Sequence, residues 1–435
     1  MTAAEKILSK ALAGSNLDTA GWSAIQAGLR DRAFFSSKVE DARILHEARR
    51  MCAEVADGKR AASEFRRDMR TLLSRMGHPQ GDGGLTDLYS QKRLDVLLDT
   101  NVRQARGYIQ YREGCSEGAL MAFPAQELVR VQAREKPRDW EERWARAGGR
   151  FHGGRMVALK NDPIWTAISA FGTPWPPFDF NSGMGVEDID FETAVELGLI
   201  QEDTPIPEPE EMNFNEGLEA EVDFDDVSAE WAGLKETFGD QIQLVDGKVQ
   251  WRGEIIRDTL FSGGNFNIKL GEATPQLLDM LNAVAGGNSQ AQQLEGKQLL
   301  VNQTFRDAKR PDGSNHLSHF VPDPKHPENI PLTAGDMELL PSIWRAPDSV
   351  RKLTRELFEA DLEGLDGSRY VIQISIDENA NRGNPQLWTY YRTKKPRGGS
   401  TPTSVAAESA ATLNARRCCT GQLQLTTLPE KGKAE

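Results

Sequence analysis

Residues 369–392 read RYVIQISIDENANRGNPQLWTYYR. β-Branched and aromatic residues fill Arg369–Ile376, with Gln373 and Ser375 at alternate positions, which predicts a strand with one face in a core. Gln386–Arg392 predicts a second strand, and the polar stretch 377–385 between them predicts an antiparallel pair that backs onto helices. Upstream, Pro275 opens the apolar-periodic run PQLLDMLNAV, a helix with Pro in its first turn. Asp246-Gly247, inside DGKVQW, is a hairpin signal. Residues 246–400 therefore read as an α+β domain, and the Ser/Thr/Ala/Gly-rich stretch 401–435 reads as a flexible tail with a short helix over 406–415.

The first half of the chain has a different period. Val39, Ala42, Leu45, Ala48, Met51 and Val55 fall at helical spacing behind a capping-box pattern, Ser37-Lys-Val-Glu40. Phe65, Met69, Leu72, Leu73 and Met76 mark a second helix, which stops at HPQGDGG, and a third runs from about Thr86 through Ala105. Arg93, Arg103, Arg106 and Arg112 line the polar face of that helix, where interleaved Asp95, Asp99 and Glu113 offer local partners, so solvated surface is the reading preferred over a phosphate grip. Trp140 and Trp144 lie one helical turn apart. After them, Trp165, Phe171, Trp175, Phe178 and Phe180 are punctuated by Pro163, Pro174, Pro176 and Pro177, which predicts an irregular segment pinned by aromatic burial.

With 435 residues the chain is long enough for two or three domains. Its net charge of −13 is concentrated: from Asn161 to Leu234 there are nineteen Asp or Glu and no Lys or Arg. Pro205, Pro207 and Pro209 in the middle of this block favour an extended backbone, so 202–245 reads as an acidic linker that keeps its neighbours apart. Acidity without a long basic stripe disfavours a stand-alone nucleic-acid-binding protein. No apolar run is long enough to span a bilayer, and Lys6 and Lys10 interrupt the only apolar stretch near the N-terminus, so the expectation is a cytoplasmic product without membrane partners. Cys52 and Cys115 stand alone and Cys418-Cys419 lack zinc spacing, which suits free thiols. The glycines of GGRFHGGR (148–155) form neither GxGxxG nor a P-loop, and His152 among them has no nucleophile pattern beside it.

Chemistry concentrates near the C-terminus. Three of six histidines fall in NHLSHFVPDPKH (315–326). His316 and His319 share a face of one helical turn but lack the intervening Glu of HExxH, so a zinc protease is disfavoured and metal-free acid/base work remains. Imidazole titrates near neutral pH and can take a ribose 2′-hydroxyl proton. The second strand ends in TYYRTKKPR (389–397), five of whose residues are of a type to contact a phosphate or a base: Tyr391, Arg392, Lys394, Lys395 and Arg397. Such a site needs no metal and no cofactor.

DTNVRQARGYIQYREG (99–114), the Trp-rich middle, and the PIW and PPFDFNSGM runs together resemble the phage Mu F-like head morphogenesis family of minor capsid proteins. The matching residues are Asp99, Thr100, Asn101, Asp162, Pro163, Trp165, Pro176, Pro177 and Asn181, within about 86–200. Many members place His before that Asn and Cys-Arg-Cys after it; here Asp179 precedes it and Ser182-Gly183-Met184 follow, so no metal or disulfide role carries over. The resemblance implies a largely helical N-terminal region (1–85), a head-protein domain (86–201), portal or capsid subunits as partners, packaged DNA as a neighbour, and a place in the virion head after assembly in the host cytoplasm. The order of the His segment, LTAGDMELLPSIWRAPDSV, YVIQISID and LWTYYRTK resembles the phage-associated nucleases grouped with barnase, EndoU, colicin and RelE-like folds, over about 255–397. It implies RNA as substrate, His316 or His319 as general base, and Thr389, Tyr391, Arg392 and Lys394 as candidates to stabilise the pentavalent phosphate or its leaving group. The alternative left open is a purely structural head-assembly protein whose C-terminal domain binds without catalysis.

Overall fold

The computed structural model describes residues 1–201, 227–245, 248–262, 267–285, 294–302, 305–306, 316–376 and 384–396, and the architecture is mixed helix and sheet. Of the acidic linker expected over 202–245, residues 202–226 lie outside the described residues, as does the 401–435 tail, whereas Val227–Phe238 and Ile242–Val245 form a helix and a strand.

In the N-terminal half, α1 (Ala3–Ser9), α2 (Ala42–Ala56), α3 (Ala62–Arg75) and α4 (Gln91–Gly114) pack around Leu45, Met51, Phe65, Met69, Leu72, Leu94 and Leu98. The helix expected from Ser37 starts later. Asp41 accepts the Arg43 N–H at 2.8 Å as N-cap, while Ser37–Glu40 turn, with Lys38 at φ 58° and Val39 bridged to Ser15. Likewise α4 starts at Gln91, capped by Ser90 rather than near Thr86. Of its basic face, Arg103 pairs locally with Asp99 at 2.8 Å, Arg93 donates to Ser36 Oγ and Ser37 O, and Asp95 is taken by Arg66 of α3 at 2.7 Å.

The middle of the chain forms a small antiparallel sheet in which β1 (Ala125–Arg130) lies between β2 (Val157–Leu159) and β3 (Met184–Ile189). The aromatic segment between β2 and β3 holds one four-residue helix, Ile164–Ala167, and otherwise has no regular element. Trp165, Trp175 and Phe178 are fully buried. Trp175 donates to Gln104 Oε1 at 2.9 Å and meets Tyr108 edge-on at 5.2 Å, which fixes this segment to α4. Gly107 of α4 lies so close to the Pro176 carbonyl that a β-carbon has no room there.

The C-terminal half has α5 (Val227–Phe238), a hairpin of β4 (Ile242–Val245) and β5 (Lys248–Trp251), then α6 (Arg252–Ser262). A seven-stranded sheet follows, from β6 (Asn267–Glu272), β7 (Gln298–Asn302), β8 (Asn329–Ile330), β9 (Ser349–Lys352), β10 (Leu357–Glu363), β11 (Arg369–Ser375) and β12 (Gln386–Thr393). Its order is β9-β10-β11-β12-β7-β6, with β8 pairing the far end of β12. Helices α7 (Pro275–Ala285) and α8 (Leu340–Arg345) cover one face and bury Leu277, Leu281, Ile343 and Trp344 against Phe358, Ala360, Leu362, Ile372, Ile374 and Tyr390.

The two halves interlock. Trp22, Leu29 and Ala33 share a core with Phe238, Ile242, Val249 and Trp251, and the Trp251 indole donates to Leu29 O at 2.9 Å. Leu365, in the β10–β11 turn, packs on the helical core of the N-terminal half. The segments flanking the acidic stretch therefore touch, although sequence reading expects the linker to hold its neighbours apart. Charge self-repulsion governs only the acidic residues themselves, whereas burying large aromatic side chains is worth about 2 kcal/mol or more each.

A polar face on the C-terminal sheet

β11 and β12 pair in register from Arg369↔Thr393 to Gln373↔Thr389, then shift, so that Ile374 faces Leu387. On one side of that shift Tyr390 is in the core, and on the other side Leu387 is. Alternation then places Thr389, Tyr391 and Thr393 on the face away from the helices, together with Arg369, Val371 and Gln373 of β11. Glu359 of β10 and Arg351 of β9, which are register partners, complete the face.

The side chains there are connected. His319 belongs to the 3-10 helix His316–Phe320, and its Nε2 lies 3.3 Å from Thr389 Oγ1. The imidazole centroid is 5.7 Å from the Tyr391 ring. Tyr391 donates its hydroxyl to Glu359 Oε2 at 3.2 Å, and the Gln373 amide donates to the same oxygen at 3.3 Å. The other carboxylate oxygen takes Arg351 Nη2 at 2.7 Å. The Glu359 side chain is 3% exposed and that of Arg351 is 40% exposed, so a sealed anion holds a guanidinium at the surface. Burial first, then the Glu359 charge and hydrogen bond, push the Tyr391 hydroxyl well above its ordinary value and keep it protonated. The bond to Glu359 likewise raises Arg351.

The other candidates separate. The backbone of His316 shares the 3-10 helix with His319, but its side chain lies outside the described residues. Lys394 is exposed just past β12, with its N–H on Glu328 O at 2.8 Å, and Lys395 beside it is exposed as well. Arg397 lies outside the described residues. Arg392 points to the opposite side of β12 from Thr389 and Tyr391. It donates to Ser368 Oγ at 2.9 Å and Asp366 Oδ2 at 2.7 Å and lies 4.9 Å over the Tyr370 ring, so it ties the β10–β11 turn rather than facing His319. Its place follows from period two: Thr389 and Tyr391 share a side and Arg392 does not. His152 puts Nδ1 3.0 Å from Leu197 O and is a local fastener.

Glu359, Arg351 and Gln373 were not legible as site residues. The signal is the alternation in LFEADLE (357–363), where Phe358, Ala360 and Leu362 face the core and Glu359 and Asp361 face away. Among the described residues no cluster of three His, Cys, Asp or Glu is arranged to hold a metal, and no helix is long and apolar enough to cross a membrane. No protein-family model, curated protein or solved structure matches the chain.

Proposed function

We propose that the chain is a phage head-associated protein whose C-terminal domain cleaves RNA without a metal. The observation that supports the enzymatic part is the joining of His319, Thr389, Tyr391, Glu359 and Arg351 on one outer sheet face. In this reading His319, held by Thr389, takes the 2′-hydroxyl proton as that oxygen attacks phosphorus. Arg351, aimed by Glu359, compensates charge on the phosphoryl oxygens, with Lys394 beyond the strand end as a second cation. Tyr391, kept protonated, donates its hydroxyl to Glu359 and so orients that carboxylate, and the leaving 5′ oxygen takes its proton from water. The head-associated part rests on the motif residues 99–181, whose Trp175, Gln104, Gly107 and Pro176 form the joint between α4 and the aromatic segment.

The test uses the full chain, because residues of the C-terminal domain are partnered by the N-terminal helices. Wild-type protein in chelator is expected to cut single-stranded RNA to 2′,3′-cyclic phosphate ends, and His319→Ala is expected to lose about 100-fold or more in kcat, the usual worth of a positioned base. Arg351→Ala is expected to lose a comparable factor, by removing the fixed cation. Equal cleavage by wild type and both variants, or none by any, sinks the enzymatic reading and leaves a structural protein. Absence of the chain from purified particles encoded by the same genome sinks the head assignment.

A further inference from the structure

All nine tryptophans lie among the described residues, and only Trp388 is exposed, with 43% of its surface in solvent. Trp22, Trp144, Trp165, Trp175, Trp251 and Trp344 are sealed in cores. Leu387 pairs with Ile374 and Thr389 with Gln373, so Trp388 is the extra residue of the β12 irregularity, opposite no residue of β11. The strand's phase resets at that point. Counting forward from core-facing Leu387 puts Trp388 on the outer face, and counting back from core-facing Tyr390 puts Thr389 on it too. The bulge thus turns two successive side chains to the side that carries His319, where an unbulged strand would return one of them to the core. A bulge beside a site that re-aims a side chain is a recurrent device, and an exposed indole forgoes the burial that stabilises the other tryptophans.

We propose that Trp388 is the platform on which an unpaired nucleobase stacks beside the phosphate that meets His319 and Arg351, so that the substrate is single-stranded rather than duplex RNA. This rests on the RNA reading above. Consecutive Cα atoms are about 3.8 Å apart, so an indole next to Thr389 lies within one nucleotide of a phosphate at His319. Stacking takes any base by its π-face, whereas a base inside a duplex is already stacked and cannot present that face.

The experiment titrates full-length His319→Ala protein, which leaves the RNA uncut, with short oligoadenylate and with the same strand in a duplex. Oligoadenylate is expected to quench tryptophan emission and bind about tenfold more tightly than duplex. Adding Trp388→Ala is expected to abolish the quench and weaken binding about tenfold, while Trp388→Tyr restores binding. In the cleaving protein, Trp388→Ala is expected to raise KM with kcat nearly unchanged. Equal affinity with and without the indole, or equal affinity for strand and duplex, overturns the platform. Cleavage with an unchanged KM in Trp388→Ala overturns the platform while the nuclease reading stands. Trp388-dependent binding without cleavage by the wild type does the reverse.

Discussion

Two arginine–glutamate pairs, Arg49–Glu338 and Arg351–Glu359, have nearly identical carboxylates and opposite arginines. Both glutamate side chains are sealed, at 4% and 3% exposed; the Arg49 side chain is 1% exposed and that of Arg351 is 40% exposed. Arg49, on α2, donates from Nη1 to Glu338 of the C-terminal domain and to Lys10 O, and from Nη2 to Gly335 O. Glu338 also accepts the Leu12 N–H at 3.3 Å, so chain from both halves closes over it. Around that pair, Arg43 clamps Asp348 through two bonds of 3.0 and 2.9 Å, and His46 lies 3.4 Å from Asp336. The closed pair is a joint between the halves, and the open pair presents a cation to whatever approaches the sheet.

Breaking the closed pair has the largest expected effect on stability. Arg49→Ala leaves Glu338 buried without its cation, a loss of about 3–5 kcal/mol, to be measured as a lower denaturant midpoint for the full chain. The same network reaches the polar face from behind, because Tyr390 on β12 donates its hydroxyl to Asp336 O at 2.7 Å, between Thr389 and Tyr391 in sequence. On the RNA-cleaving reading proposed above, Arg49→Ala is therefore expected to lower cleavage as well, and a variant that unfolds earlier but cuts at the full rate separates the joint from the polar face.

The next effect is set by pH. Burial opposes ionisation of Asp336, but the His46 hydrogen bond and charge, the Thr333 N–H and Arg392 outweigh it and hold its pKa at about 2, below the ordinary 3.8. A carboxyl lowered on folding stabilises the protein above its unfolded pKa and loses that contribution as pH falls through the folded value. The stabilisation, about 2 kcal/mol at about 1.4 kcal/mol per pKa unit, is thus complete above about pH 4 and lost by about pH 2. Unfolding free energies measured across that interval are expected to fall less steeply in Asp336→Asn than in wild type. Equal slopes remove Asp336 from the joint.

The polar face and the joint were unequally legible. The strands around 369–392 follow from alternation, and the aromatic burial between Pro163 and Phe180 follows from composition. The strand Leu357–Glu363 escaped because its acidic residues mimic a solvated stretch, and Glu359 escaped with it. The joint left no local mark at all: the partners of Arg43, His46 and Arg49 come about 290 or more positions later in the chain. Period and composition report what a segment buries, and cannot report which distant segment buries it. Reading the basic end of β12 as one group places Arg392 with Thr389 and Tyr391, whereas period two sets it on the opposite side of the strand, on Ser368 and Asp366.

The smallest expected stability effect belongs to the open pair. A partly exposed guanidinium is solvated in the unfolded and folded chain alike, and such pairs contribute about 1 kcal/mol or less. Removing Arg351 leaves Glu359 with the Tyr391 hydroxyl and the Gln373 amide as donors, and opens the carboxylate to water where the guanidinium stood. Arg351→Ala is accordingly expected to shift the unfolding free energy by about 1 kcal/mol or less while, on the proposed RNA-cleaving reading, losing most cleavage. Charge that serves the fold and charge that serves a ligand then part along one observable: Arg49 moves stability first and Arg351 moves activity first. If Arg351→Ala destabilises as much as Arg49→Ala, the guanidinium is a structural fastener, and the outer face loses its cation for phosphate.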